Sequence, residues 1–168
     1  MLLRVFALVL MLFINTVTAA ESISRNACDG VDCVSPVVVL DSATKVEGEN
    51  SLKIVAVAPC RVTVGRFSGT DFDNFTLKTT AKIKAELETG VVVLETLVKS
   101  KGGFYFSRAM DQQIGPKTQW QKVFTRFFFK EKERPDEIFV NLIIEGNGTV
   151  WVDDINIEKE KLPTMSEK

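Results

Sequence analysis

Histidine is absent from the 168 residues. That removes serine and cysteine nucleophiles activated by histidine, histidine zinc sites and histidine pH switches. An excess of either charge is missing too. Lys and Arg total 21 against 22 Asp and Glu, a formal net charge of −1, so no broad attraction for nucleic acid or anionic lipid follows. Polar aromatics are scarce, 2 Trp and 1 Tyr beside 12 Phe, a supply that suits a core better than a wet, exposed surface. No phosphate loop, dinucleotide fingerprint or multi-cysteine metal pattern occurs. The longest uninterrupted apolar run, Val5–Ile14, is about half the ~20 residues that span a bilayer, so membrane insertion is not expected.

What is there begins with an export signal. Arg4, the apolar run and the small residues that close Asn15–Ala20 follow the order of a secretory signal peptide over residues 1–20. Cleavage is expected after Ala19 or Ala20, with a secreted or periplasmic product. Export permits disulfides, and with 3 cysteines at most one internal pair forms. Cys28 and Cys33 close a short loop around Asp29-Gly30, whose turn chemistry favours that pair. Pairing of Cys60 with either one is the alternative.

The body reads as strand. In Thr76–Leu87 the residues Leu77, Thr79, Ala81, Ile83, Ala85 and Leu87 share one face and lysines occupy the other. This period of two places one face on a core and one in water. Further strands are expected at Pro36–Leu40, Ser51–Val57, Cys60–Phe67, Val91–Lys99, Phe104–Met110, Trp120–Lys130, Ile138–Glu145 and Thr149–Ile157. Gly146-Asn-Gly is a hairpin signal. Short strands at near-regular spacing, with no amphipathic helix, predict an all-β fold: an antiparallel β-sandwich of eight or nine strands over residues 36–157. Residues 21–35 form a cysteine-bearing lead and residues 158–168 a polar tail.

Three segments carry a resemblance: Gly48-Glu-Asn-Ser-Leu-Lys-Ile, Trp120-Gln-Lys-Val-Phe-Thr-Arg-Phe and Gly148-Thr-Val-Trp-Val-Asp-Asp-Ile. In this order they resemble the jelly-roll carbohydrate-binding modules of the galactose-binding-like superfamily, from Val37 to Ile157. The family's additional first strand, with its Asn-x-x-Phe-Glu-like segment, is replaced here by Glu21–Ser35. The resemblance implies a structural calcium, with Asp153 as a side-chain ligand and Glu47 or nearby carbonyls as partners. Calcium needs six to eight hard oxygens. The competing reading has Asp153 and Asp154 bonding backbone amides at the strand end.

Sugar recognition combines aromatic platforms with planar polar groups. Polar residues set into apolar strands are Glu95, Arg126 and Asn141, which line one face if their strands are neighbours. Tyr105, Trp120 and Phe128 are the candidate stacking surfaces. Against this stand a core role for Trp120 and Phe128 and a plain Glu95–Arg126 ion pair. Asn74 and Asn147 lie in N-glycosylation sequons. Asp153 and Asp154, adjacent on a strand, should point to opposite faces and make a poor catalytic pair, so an enzyme is not expected. The expectation is a secreted, non-catalytic domain that recognises extracellular glycan. The alternative is an extracellular protein-interaction or structural domain of the same fold.

Overall fold

The structure, a computed structural model, describes residues 36–68, 75–130 and 133–161. The signal segment, the Cys28–Cys33 pair, Asn74 and the last seven residues lie outside the described residues. Nine strands follow in order: β1 (Val37–Asp41), β2 (Ser51–Ala56), β3 (Cys60–Ser68), β4 (Phe75–Thr89), β5 (Val92–Ser100), β6 (Gly103–Arg108), β7 (Lys117–Phe128), β8 (Glu137–Ile144) and β9 (Asn147–Lys161). They form a five-stranded sheet, β1-β2-β9-β4-β7, and a four-stranded sheet, β3-β8-β5-β6. Every pairing between these strands is antiparallel. The chain is the all-β jelly-roll sandwich that its alternating pattern predicts.

Apolar alternation closes the sandwich. Ala81, Ile83 and Val150 of one sheet meet Val92, Leu94, Val140 and Leu142 of the other in the main core. A smaller cluster of Leu77, Val98, Phe129 and Ile138 fills one end. Between the two lies a polar tie. The hydroxyl of Thr96 is 2.8 Å from that of Thr79 and 2.6 Å from that of Thr125, and all three are buried. Buried hydroxyls need partners, and these find them only across the gap between sheets, which pins one sheet against the other.

Two expectations about connection change. The strands flanking Gly146-Asn-Gly belong to different sheets, so this turn is a corner and not a hairpin. The reason is a close backbone approach: a Cβ on Gly146 would lie 2.0 Å from the Thr89 carbonyl oxygen, and one on Gly90 (φ 91°) 1.7 Å from that of Glu145. The β4–β5 and β8–β9 corners stack on each other, and glycine alone fits there. Strand β9 also runs past Ile157, to Lys161, because Phe75–Lys78 of β4 supplies its partner.

Candidate functional site

The outward face of the four-stranded sheet is defined by what the inward one buries. Val92, Leu94 and Val98 point into the cores, so Val93, Glu95, Leu97 and Lys99 point away. Cross-strand register arranges their neighbours in rows. Glu95 lies between Asn141 and Arg108, and Asn141 pairs with Thr63. The next row is Arg66, Phe139, Leu97 and Phe106, and the next contains Glu137, Lys99 and Phe104. A polar row thus adjoins a largely apolar one.

Glu95 is the centre of the polar row. It is 0% exposed although it points outward. One carboxylate oxygen accepts hydrogen bonds from Arg61 Nη2 at 3.1 Å and Arg108 Nε at 2.7 Å. The other accepts from Asn141 Nδ2 at 2.9 Å, and Thr63 donates to Asn141 Oδ1 at 2.8 Å. Removing a carboxylate from water costs several kcal/mol unless donors replace the water, and these partners replace it. Aromatics flank the cluster in the open, with Phe104 63% and Phe106 58% exposed. The Arg108 guanidinium rests 4.4 Å from the centre of the Phe106 ring. At the far row Glu137 bonds Arg66 and Lys99, which hold its carboxyl below the usual range, the Arg66 hydrogen bond contributing most.

The candidate residues divide among four places. Glu95 and Asn141 come together as expected. Arg126 does not join them, because β7 belongs to the other sheet. There it pairs with Glu160 at 3.0 Å and lies 4.7 Å from the Phe124 ring centre. Tyr105 and Phe128 meet at the edge between β6 and β7, in the lining of a cavity of about 550 Å³ with Phe127, Phe129 and Val98. Trp120 is half-buried where the β4–β7 register slips. Sequence reasoning missed Arg61, Thr63 and Arg108. Alternation puts Arg61 with Thr63, and Phe104 with Phe106 and Arg108, on common faces. The signal that was lacking is which strands are neighbours.

The oxygens expected for calcium are committed elsewhere. Asp153 Oδ2 accepts the amides of Val46 at 2.7 Å and Glu47 at 3.1 Å, and Oδ1 accepts that of Asp154 at 2.8 Å. The Lys82 ammonium stands 3.1 Å from Asp154 and 3.8 Å from Glu47. The Asp154 hydrogen bond foremost pushes its pKa above the usual lysine value. Among the described residues no group of three or more acidic or cysteine side chains gathers around a metal position. A carboxylate filled by N–H donors beside a lysine does not fit calcium. It fits a clamp on the 44–50 turn. Cys60 is a free thiol, its pKa raised by burial, and Asn147 donates to Glu88 at 2.7 Å.

No family model matches the sequence, and no curated protein does. Solved structures share the fold. A family 16 carbohydrate-binding module is 16% identical, with TM-score 0.52 over 72% of this chain and 84% of that one. The xylan-binding CBM22-1 domain of Paenibacillus barcinonensis Xyn10C is 10% identical, with TM-score 0.52 over 76% and 83%. The CBM22-1–GH10 modules of Clostridium thermocellum Xyn10B, complexed with xylohexaose, are 8% identical, with TM-score 0.55 over 79% of this chain and 26% of that one. The fold is therefore that of carbohydrate-binding modules.

Proposed function

We propose that this chain is an extracellular, non-catalytic glycan-binding domain whose ligand lies on the outer face of the four-stranded sheet. The observation that carries the reading is Glu95, an outward-facing carboxylate with no solvent exposure, held by Arg61, Arg108 and Asn141 beside exposed Phe104 and Phe106. A buried ion pair adds little net stability over an apolar pair of the same volume. Its use here is to orient two guanidinium forks toward the open face. Sugar rings present apolar faces and hydroxyl edges. The Phe139–Leu97–Phe106 row suits the faces and the Glu95 row suits the edges.

Fold likeness to carbohydrate-binding modules and the signal-like residues 1–20 support the same reading. Both Glu95 oxygens already accept hydrogen bonds, and Glu137 is tied to Arg66 and Lys99. Neither carboxyl is placed to exchange protons with a glycosidic oxygen, which argues for binding without hydrolysis. A broad glycan array probed with the folded protein tests the proposal; silence across it sinks the reading. Exposed Phe128 beside the β6–β7 cavity favours the second reading, a protein-binding domain. Crosslinking to a protein partner that Phe128→Ser abolishes, with the array silent, would establish that one instead.

A further inference from the structure

We propose that the glycan taken by this face is an acidic one, a polysaccharide bearing carboxylate or sulfate groups; this rests on the glycan-binding reading above. The outward side chains of the four strands carry Arg61, Arg66, Lys99 and Arg108 against Glu95 and Glu137. Each carboxylate is shared by two cations: Glu95 by Arg61 and Arg108, Glu137 by Arg66 and Lys99. Each trio therefore keeps one unit of positive charge, on a protein whose formal net charge is −1. The surplus belongs to this face and not to the molecule as a whole.

Depth strengthens the effect. The carboxylates lie low, Glu95 at 0% and Glu137 at 18% side-chain exposure, while Arg61 and Arg66 are about half exposed and Arg108 about a third. An approaching ligand meets guanidinium first. Arg61 uses Nη2 and Arg108 uses Nε on Glu95. Among the described residues their other N–H groups make no hydrogen bond, so a planar fork remains for an incoming carboxylate or sulfate. The two trios flank the apolar row, one on each side of it along the strands. Glu95 and Lys99 are four residues apart on β5, roughly 13 Å at about 3.3 Å per residue. That arrangement matches a chain that offers negative groups at intervals with sugar faces between them.

The test is affinity electrophoresis and calorimetry of the full mature chain with four polysaccharides. These are polygalacturonate, its methyl ester, a sulfated galactan and neutral xylan, with poly-glutamate as a non-sugar polyanion. Binding to polygalacturonate or to the sulfated galactan is expected, and whichever binds tells carboxylate from sulfate. Affinity should fall about tenfold from ~20 to ~300 mM salt as exposed charges are screened. Arg66→Gln should lower it several-fold with a nearly unchanged melting temperature. Arg61→Gln should lower affinity and also the melting temperature, because it bares the Glu95 carboxylate, and Lys99→Gln serves if either fails to fold. Xylan or the methyl ester bound as tightly, with no salt dependence, overturns the acidic preference and leaves the glycan reading intact. Equal binding of poly-glutamate overturns it as well. Failure of every polymer overturns the acidic preference alone if the broad glycan array finds another ligand, and overturns both readings if the array is silent as well.

Discussion

On the outer face of the five-stranded sheet the tryptophan Trp151 is shut in, only 6% exposed. The Lys84 ammonium lies 4.7 Å and that of Lys53 5.7 Å from its ring centre, and its Nε1 donates to Asp41 at 2.8 Å. On the outer face of the four-stranded sheet the order is reversed: phenylalanines stand open and a carboxylate is buried. Both faces carry many charges. On the first, lysine stems cover the aromatic and ion pairs such as Lys78–Glu160 and Arg126–Glu160 lie at the surface. On the second, the acids sit beneath and the cations and rings face water. The first face covers its tryptophan with lysine stems and leaves Val37, Val39 and Phe128 exposed only on its edge strands β1 and β7. The second leaves Phe104 and Phe106 open beside its polar row.

The largest expected effect that sharpens this contrast is on stability alone. Trp151→Ala should cost about 3 kcal/mol, as large-to-small changes at buried aromatics do, read from urea unfolding, with glycan affinity unchanged. Lost affinity in a folded variant would break the contrast. Glu95→Gln should affect both properties. It removes the charge that two guanidiniums share and should cost about 2 kcal/mol, below the ~3–5 of a fully buried pair because both arginines reach water. Affinity should fall at least about tenfold, since 1.4 kcal/mol of lost orientation is a factor of ten.

Much of this was legible along the chain. The Leu77-to-Leu87 alternation marks β4 because period two survives any choice of neighbour. Glu95 and Asn141 are visible as polar residues in otherwise apolar strands, and their pairing follows once β5 and β8 are adjacent. Arg126 reads as a third member of that set because its strand has the same polar-in-apolar pattern; only topology puts β7 in the other sheet. Asn-Gly chemistry at 147–148 announces a tight turn but not whether the chain stays in its sheet. The Thr79–Thr96–Thr125 tie is silent for the same reason: threonine suits any strand, and its partners are fixed by the packing of two sheets.

Smaller effects test the covered face. Arg126→Met should change unfolding free energy by no more than about 0.5 kcal/mol, the scale of an exposed ion pair, and should leave affinity unchanged. A loss of affinity would return Arg126 to the binding surface. The smallest effect is on pH dependence, with one group from each face. Asp41 is held below the usual aspartate range, chiefly by the Trp151 hydrogen bond, and Glu137 below the glutamate range, chiefly by Arg66. A lowered folded pKa stabilises above the unfolded value, and that stability is lost as pH falls through the folded one. Melting temperatures between neutral and strongly acidic pH should therefore fall less steeply in Asp41→Asn and in Glu137→Gln than in the parent.

The most direct measurement is the glycan affinity of Phe106→Ala against the parent chain, each checked by its melting curve. Phe106 is exposed and lies beside Arg108, so its loss should shift unfolding by less than about 0.5 kcal/mol, as surface changes do. Affinity should drop about tenfold or more, the scale of one stacking ring with its cation. Full affinity in a normally melting Phe106→Ala chain would contradict the account and move the ligand off this face.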